Sequence, residues 1–174
     1  KKNKPKPDLL LMFYREISSS DDLHFGYWNK NEELTMKNFI KAQERYFERF
    51  VSYIPKDVKT ILDVGCGVGG NAKRLKALGY EITSLSPDPL LEAEFKKNTN
   101  NEIPFILTKF EDLKINKKFD MVLMSESLQY IGPSEGLKKC TEVLRPGGYL
   151  LGIDYFKIEG VDEGGIMMAG HDYQ

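Results

Sequence analysis

Residues 63–70 read Asp-Val-Gly-Cys-Gly-Val-Gly-Gly, a carboxylate set two positions ahead of alternating glycines. Glycines let a backbone turn sharply and approach a ligand without Cβ clashes. Gly65, Gly67 and Gly70 satisfy the G-x-G-x-x-G spacing of a dinucleotide-binding turn, which alone carries little weight. Asp63 separates the options. A dinucleotide lays a doubly negative pyrophosphate against such a turn and the helix N-terminus behind it. A carboxylate aimed into that region would cost about a kcal/mol or more. A ligand bringing an ammonium there gains instead, and a carboxylate beside that ammonium suits the loop amides. Two further stretches carry groups able to do chemistry: the cluster His24-Phe25-Gly26-Tyr27-Trp28, and Ser125-Glu126-Ser127-Leu128-Gln129-Tyr130.

The elements that must position these groups follow from patterning. Residues 60–64, Thr-Ile-Leu-Asp-Val, form a short strand, and the glycine loop opens a helix over 69–78 that Gly79 ends. A second strand spans 80–85. Asp88-Pro89 then supplies a cap and a first-turn proline for a helix reaching about residue 98. Strands over 103–107, 119–124 and 149–155, a helix over 134–144 and the turn Pro146-Gly147-Gly148 complete the series. Strands alternating with helices at this spacing imply a parallel sheet with helices on both faces. Upstream, Asp8 can cap a short helix over 8–16, and residues 18–33 are polar and irregular. From Thr35 a helical stripe of Met36, Phe39, Ile40, Phe47, Phe50, Val51 and Ile54 runs to Pro55 and reads as core-facing. The expected organisation is an N-terminal helical lid segment, 1–56, ahead of an α/β core, 57–174.

Ile61-Leu62-Asp63-Val64-Gly65-Cys66-Gly67-Val68-Gly69 resembles the signature loop of class I S-adenosylmethionine-dependent methyltransferases. Phe110-Glu111-Asp112-Leu113, Phe119-Asp120-Met121-Val122 and Leu144-Arg145-Pro146-Gly147-Gly148 agree with that family in order and spacing. The resemblance covers 58–156. It implies a Rossmann-like methyltransferase fold with a central parallel sheet ordered 3-2-1-4-5, S-adenosylmethionine as methyl donor and S-adenosylhomocysteine as product. Residue by residue, it implies that Asp63 holds the methionyl ammonium while Gly65, Gly67 and Gly69 line the methionine and sulfonium. Phe110 would offer its backbone amide to the adenine edge, Glu111 its carboxylate to the exocyclic amine, and Ser125 would face the methionine end. Glu111 reads equally well as an exposed loop acid. Where the family commonly carries an acid for the ribose hydroxyls this chain has Ser86, a departure shared with the branch resembling cyclopropane fatty acid synthases. Asp88 is the alternative ribose ligand, although a helix cap suits it better.

Leu23-His24-Phe25-Gly26-Tyr27-Trp28, with Glu33-Leu34-Thr35-Met36 behind it, resembles the N-terminal segment of small-molecule methyltransferases related to cyclopropane synthases and to sarcosine and tocopherol methyltransferases. There the segment folds over the cofactor. Aromatic faces suit a sulfonium, and a lid excludes water from the reacting centre. His24 and Tyr27 are the expected lid contacts. Methyl transfer is an in-line displacement with a neutral thioether leaving, so catalysis is mainly positioning and charge placement. A base is needed only where the acceptor must lose a proton. Tyr130 stands where relatives often carry a histidine lining the substrate pocket. With Tyr27 and His171 it forms the expected catalytic set, and Glu126 is a further candidate, although a pocket wall or surface position is the plainer reading of Tyr130, His171 and Glu126.

The 174 residues include 25 basic and 26 acidic side chains, a formal net charge of -1. That balance gives no electrostatic reason to expect a nucleic-acid or membrane surface. No Asn/Asp-Pro-Pro-aromatic motif follows the fourth strand, and no apolar run approaches the roughly 18 residues of a membrane span. No secretion signal opens the sequence, and two cysteines suit a reducing compartment. The expectation is a cytoplasmic enzyme with a small-molecule acceptor and no metal. An NAD-type oxidoreductase is the first alternative, opposed by Asp63, and a non-catalytic binding module on a degenerate methyltransferase fold is the second. The family's domain closes with a further helix and an antiparallel strand pair that the chain does not reach by Gln174. Truncation is therefore expected, and the edge of strand five would invite a homodimer.

Overall fold

Branched and apolar side chains favour extended backbone, and Thr60–Val64 (β1) forms the central strand of the computed structural model, which describes residues 20–154. Glu81–Ser86 (β2), Phe105–Leu107 (β3), Phe119–Ser125 (β4) and Leu144–Ile153 (β5) complete the sheet. The strand order is β3-β2-β1-β4-β5 with every pairing parallel, as the resemblance implied. β1 and β4 are buried over nearly their whole length, which a parallel sheet covered on both faces requires.

Among the described residues, the α-helices Met36–Ser52 (α1), Gly70–Ala77 (α2), Pro89–Asn98 (α3) and Pro133–Val143 (α4) supply that cover. Two side-chain caps form, that of Asp88 as expected. Thr35 accepts from the Asn38 amide at 3.2 Å, and Asp88 from the Leu90 amide at 2.8 Å. One apolar cluster joins Tyr46, Phe47 and Phe50 of α1, Leu75 of α2 and Phe95 of α3 to Ile61, Met121 and Leu123 of the sheet. A second, on the opposite face, gathers Leu62, Val64, Val122 and Met124 with Phe110, Leu113, Cys140 and Val143. The first cluster runs across the turn at 56–57, so α1 is built into the core of the sheet.

Three expectations are corrected. Met36 and Ile40 are 44% and 45% exposed, whereas Ala42, Gln43 and Tyr46 are buried. The inward face of α1 is rotated because residues 20–28 form an extended strap across it. Ala42 O accepts the Tyr27 amide at 2.8 Å, and Gln43 Nε2 donates to Asp22 O and His24 O at 2.8 and 3.0 Å. β5 begins at Leu144 rather than 149, with Pro146-Gly147-Gly148 as a bulge within it: Leu144 pairs with Phe119 and Tyr149 with Met121. Arg145 Nε donates to Asp120 Oδ1 at 2.5 Å and anchors that bulge. β3 is also shorter than the run 103–107. The expected helix over 8–16 and the end of the fifth strand at residue 155 lie outside the described residues. No helix among the described residues is long and apolar enough to cross a membrane.

Candidate active site

β1 has β2 on one side and β4 on the other, so successive connections leave it in opposite directions. Beyond the carboxyl ends of strands at such a point, α/β folds have a crevice. The glycine loop sits there, with Gly65 and Cys66 amides donating to Leu85 O at 3.0 and 3.3 Å. Gly65 has φ 77°, and a Cβ on it would lie 2.5 Å from Ser127 Cβ, so no other residue fits. Gly67 and Gly69 are also left-handed, and Gly69 caps α2 without a side chain. The first-turn amides of α2 therefore keep their attraction for an anion.

Asp63, near the end of β1, is 2% exposed. Ser84 Oγ donates to it at 3.4 Å, and it forms no ion pair among the described residues. Burial pushes its pKa up to about 7, against the modest pull of the Ser84 bond. A buried carboxylate without a cation is unfavourable, and a cationic ligand group would relieve it. Burial and the neighbouring Asp63 hold the Cys66 thiol well above its ordinary pKa, so it is no nucleophile.

The strap closes over this loop. A Cβ on Gly67 would lie 3.3 Å from Leu23 Cδ1, and one on Gly70 2.5 Å from Asp22 Oδ1. Asn98 Nδ2 donates to Asp21 Oδ1 at 3.1 Å, and Arg74 reaches Asp22 at 3.4 Å and Glu44 at 2.6 Å. His24 is 5% exposed and stacks on Tyr46 with ring centroids 4.0 Å apart. Neither ring nitrogen has a hydrogen-bond partner among the described residues; Nε2 stands 3.9 Å from Asp22 Oδ1. Burial, reinforced by the Arg74 charge, pushes the His24 pKa down to about 4, so the ring is neutral.

Tyr46 carries the strap's position to the end of β4. Its hydroxyl lies 2.8 Å from Ser125 Oγ and donates to Ile153 O at 3.3 Å, while Asn71 Nδ2 donates to Ser125 Oγ at 3.2 Å. Glu126, the next residue, has φ 51°, an uncommon strained backbone for a side chain with a Cβ. Its Oε1 accepts the Phe25 amide of the strap at 3.3 Å. Burial first, then the charge of Asp154, pushes the Glu126 pKa up to about 7 despite the Phe25 bond.

The sheet edge thus gathers Asp63, the loop glycines, His24 and Ser125. Ser86 is buried at the end of β2, its Oγ accepting the Asp88 amide at 3.2 Å, and Asp88 is a helix cap. The Phe110 ring lies in the core beyond β3, and Glu111 is half-buried beside it. Tyr27 is exposed with the Arg49 guanidinium 4.4 Å from its ring centre, and Tyr130 is 78% exposed on a single 3-10 turn, Leu128–Tyr130. His171 lies outside the described residues. Tyr46, Asn71 and Ser84 were not foreseen. A hydroxyl four residues from Ala42 and from Phe50 on a helical stripe was the available signal for Tyr46, and a polar residue directly behind the glycine loop that for Asn71.

This geometry defines a Rossmann-like α/β protein whose glycine loop and buried acid lie at the switch point of the sheet, under the strap of residues 20–28. The chain belongs to the methyltransferase domain family, whose profile matches residues 62–152. It is 34% identical over 104 residues, 58% of this chain and 45% of the relative, to the uncharacterized methyltransferase YodH of Bacillus subtilis. To the sarcosine/dimethylglycine N-methyltransferase of Aphanothece halophytica it is 26% identical over 161 residues, 87% of this chain and 57% of the relative. Among solved structures, one described as a sarcosine dimethylglycine methyltransferase from Galdieria sulphuraria superposes with a TM-score of 0.74 at 20% identity, covering 88% of this chain and 62% of that one. The chain spans about half the length of the curated relatives it matches.

Proposed function

We propose that this domain binds S-adenosylmethionine and directs its methyl group to a small-molecule acceptor. The carrying observation is Asp63: a buried carboxylate, unmatched by any cation among the described residues, at the head of a glycine loop. It fits an ammonium, and the loop and helix amides around Gly69, which caps α2 without a side chain, fit the carboxylate beside it. When bound, the cofactor supplies a methyl group on a positively charged sulfur that departs as a neutral thioether.

The chain's own groups do the rest. Asp63 receives the methionyl ammonium, and Gly65, Gly67 and Gly69 let the backbone come close to the methionine. Ser86, its oxygen already accepting from Asp88, keeps its hydroxyl proton for the ribose. The Phe110 amide and the Glu111 carboxylate take the adenine edge. His24 and the strap around it keep water out. Ser125, held by Tyr46 and Asn71, marks the methyl end, with Tyr27 and Tyr130 as outer walls toward the acceptor. A cytoplasmic location accords with two free, buried cysteines. Titration calorimetry with S-adenosylhomocysteine and NAD tests this reading. S-adenosylhomocysteine should bind and NAD should not; the reverse result would end it.

A further inference from the structure

We propose, resting on the reading of this edge as a methyl-transfer site, that the acceptor is an amine arriving as its ammonium ion and that Glu126 receives the ammonium's proton. Glu126 directly follows β4, one residue beyond the Ser125 hydroxyl that marks the methyl end. One carboxylate oxygen is engaged by the strap at Phe25, and Glu126 forms no ion pair among the described residues. Among the described residues, the titratable groups acting on it are acidic or neutral: Asp154 beyond β5, whose charge raises its pKa, and Tyr46 of α1, which feels both carboxylates. An independent feature also calls for a ligand. His24, adjacent to Phe25, is 5% exposed, has no hydrogen-bond partner at either ring nitrogen among the described residues, and stacks on the Tyr46 ring whose hydroxyl reaches Ser125.

Charge decides the substrate class. A phenolate or alkoxide formed here, its proton on Glu126, would face the Asp154 charge, which like-charge repulsion opposes. An ammonium enters attracted to both carboxylates. Its N–H bond breaks, the proton moves to the Glu126 carboxylate, and the freed nitrogen lone pair forms the new N–C bond. The C–S electron pair leaves with sulfur, and the product is an N-methylated ammonium. With a carboxyl that titrates at about 7, Glu126 can both accept and release that proton near neutral pH.

The test uses the full chain, tritium-labelled S-adenosylmethionine, and matched pools of primary and secondary amines against alcohols and phenols. Label should enter the amine pool. Glu126→Gln keeps an oxygen for the Phe25 amide but removes the charge. It should lower kcat/KM for the labelled amine about 10²–10⁴-fold while leaving S-adenosylhomocysteine affinity within about twofold, and Glu126→Asp should recover part of the loss. In cofactor-free protein, the Glu126 carboxyl carbon signal, assigned by its loss in Glu126→Gln, should shift when that amine is added. Label confined to alcohols or phenols, an unshifted signal, or full amine transfer by Glu126→Gln, each with S-adenosylhomocysteine still bound, would overturn the amine assignment alone. Absence of S-adenosylhomocysteine binding would overturn the cofactor reading and this proposal with it. If Glu126→Gln does not fold, the pool result and the wild-type carboxyl signal decide.

Discussion

Asp63 is buried with no cation beside it among the described residues, so its ionised form is unfavourable in the free protein. Replacing it by Asn should therefore separate binding from folding. Removing one member of a buried charge pair costs about 2–5 kcal/mol, so Asp63→Asn should weaken S-adenosylhomocysteine at least 30-fold or so. The melting temperature of the ligand-free protein should hold or rise, because an unpaired buried charge has gone. Equal loss of affinity and stability would mark Asp63 as structural. Its titration gives a second prediction. Folding lifts this carboxyl from 3.8 to about 7, so between those values the folded state keeps a proton that the unfolded chain has released. The stability it contributes is complete below pH 3.8 and is lost as pH rises to about 7. Cofactor affinity runs the other way: S-adenosylhomocysteine should bind more tightly as pH rises through about 7 and Asp63 ionises. A calorimetric series flat across that range would contradict the ammonium assignment.

The strap has a narrow seat on α1. Gly26, with φ 82°, passes so close to α1 that a Cβ would sit 2.6 Å from the Ala42 carbonyl carbon. Gly26→Ala should cost about 1–3 kcal/mol of strap docking. The expected outcome is faster proteolysis within residues 20–28 and about tenfold weaker S-adenosylhomocysteine binding, with the core's melting transition kept. Limited digestion followed by mass spectrometry reads the first and calorimetry the second. Unchanged digestion would show that α1, not the strap, yields to the added methyl.

Across the whole molecule, α1 and the sheet share one apolar cluster, so they should unfold together. Phe50 is fully buried in that cluster, against the α1 face that also holds Tyr46. Phe50→Ala should destabilise by about 3–5 kcal/mol and lower Tm by roughly 6–20 °C. Scanning calorimetry should show one transition. Two would mean that the segment before residue 57 unfolds as a unit of its own.

Much of this was legible locally. The Thr35 and Asp88 caps depend on hydroxyls and carboxylates reaching amides two or three residues away, and such chemistry travels with the sequence. The strand–helix alternation and glycine loop likewise follow from short-range pattern, and with the family resemblance they led to the sheet order. How distant segments meet at the end of β4 was not legible. Tyr46 reaches Ser125 across 79 positions, and Phe25 reaches Glu126 across 101. The inward turn of Ala42 and Gln43 depends on the strap lying over them, and the β5 bulge on Arg145 finding Asp120. Those contacts arise only when distant segments fold onto one edge of the sheet, because desolvation and unpartnered polar atoms are properties of enclosure rather than of residue type.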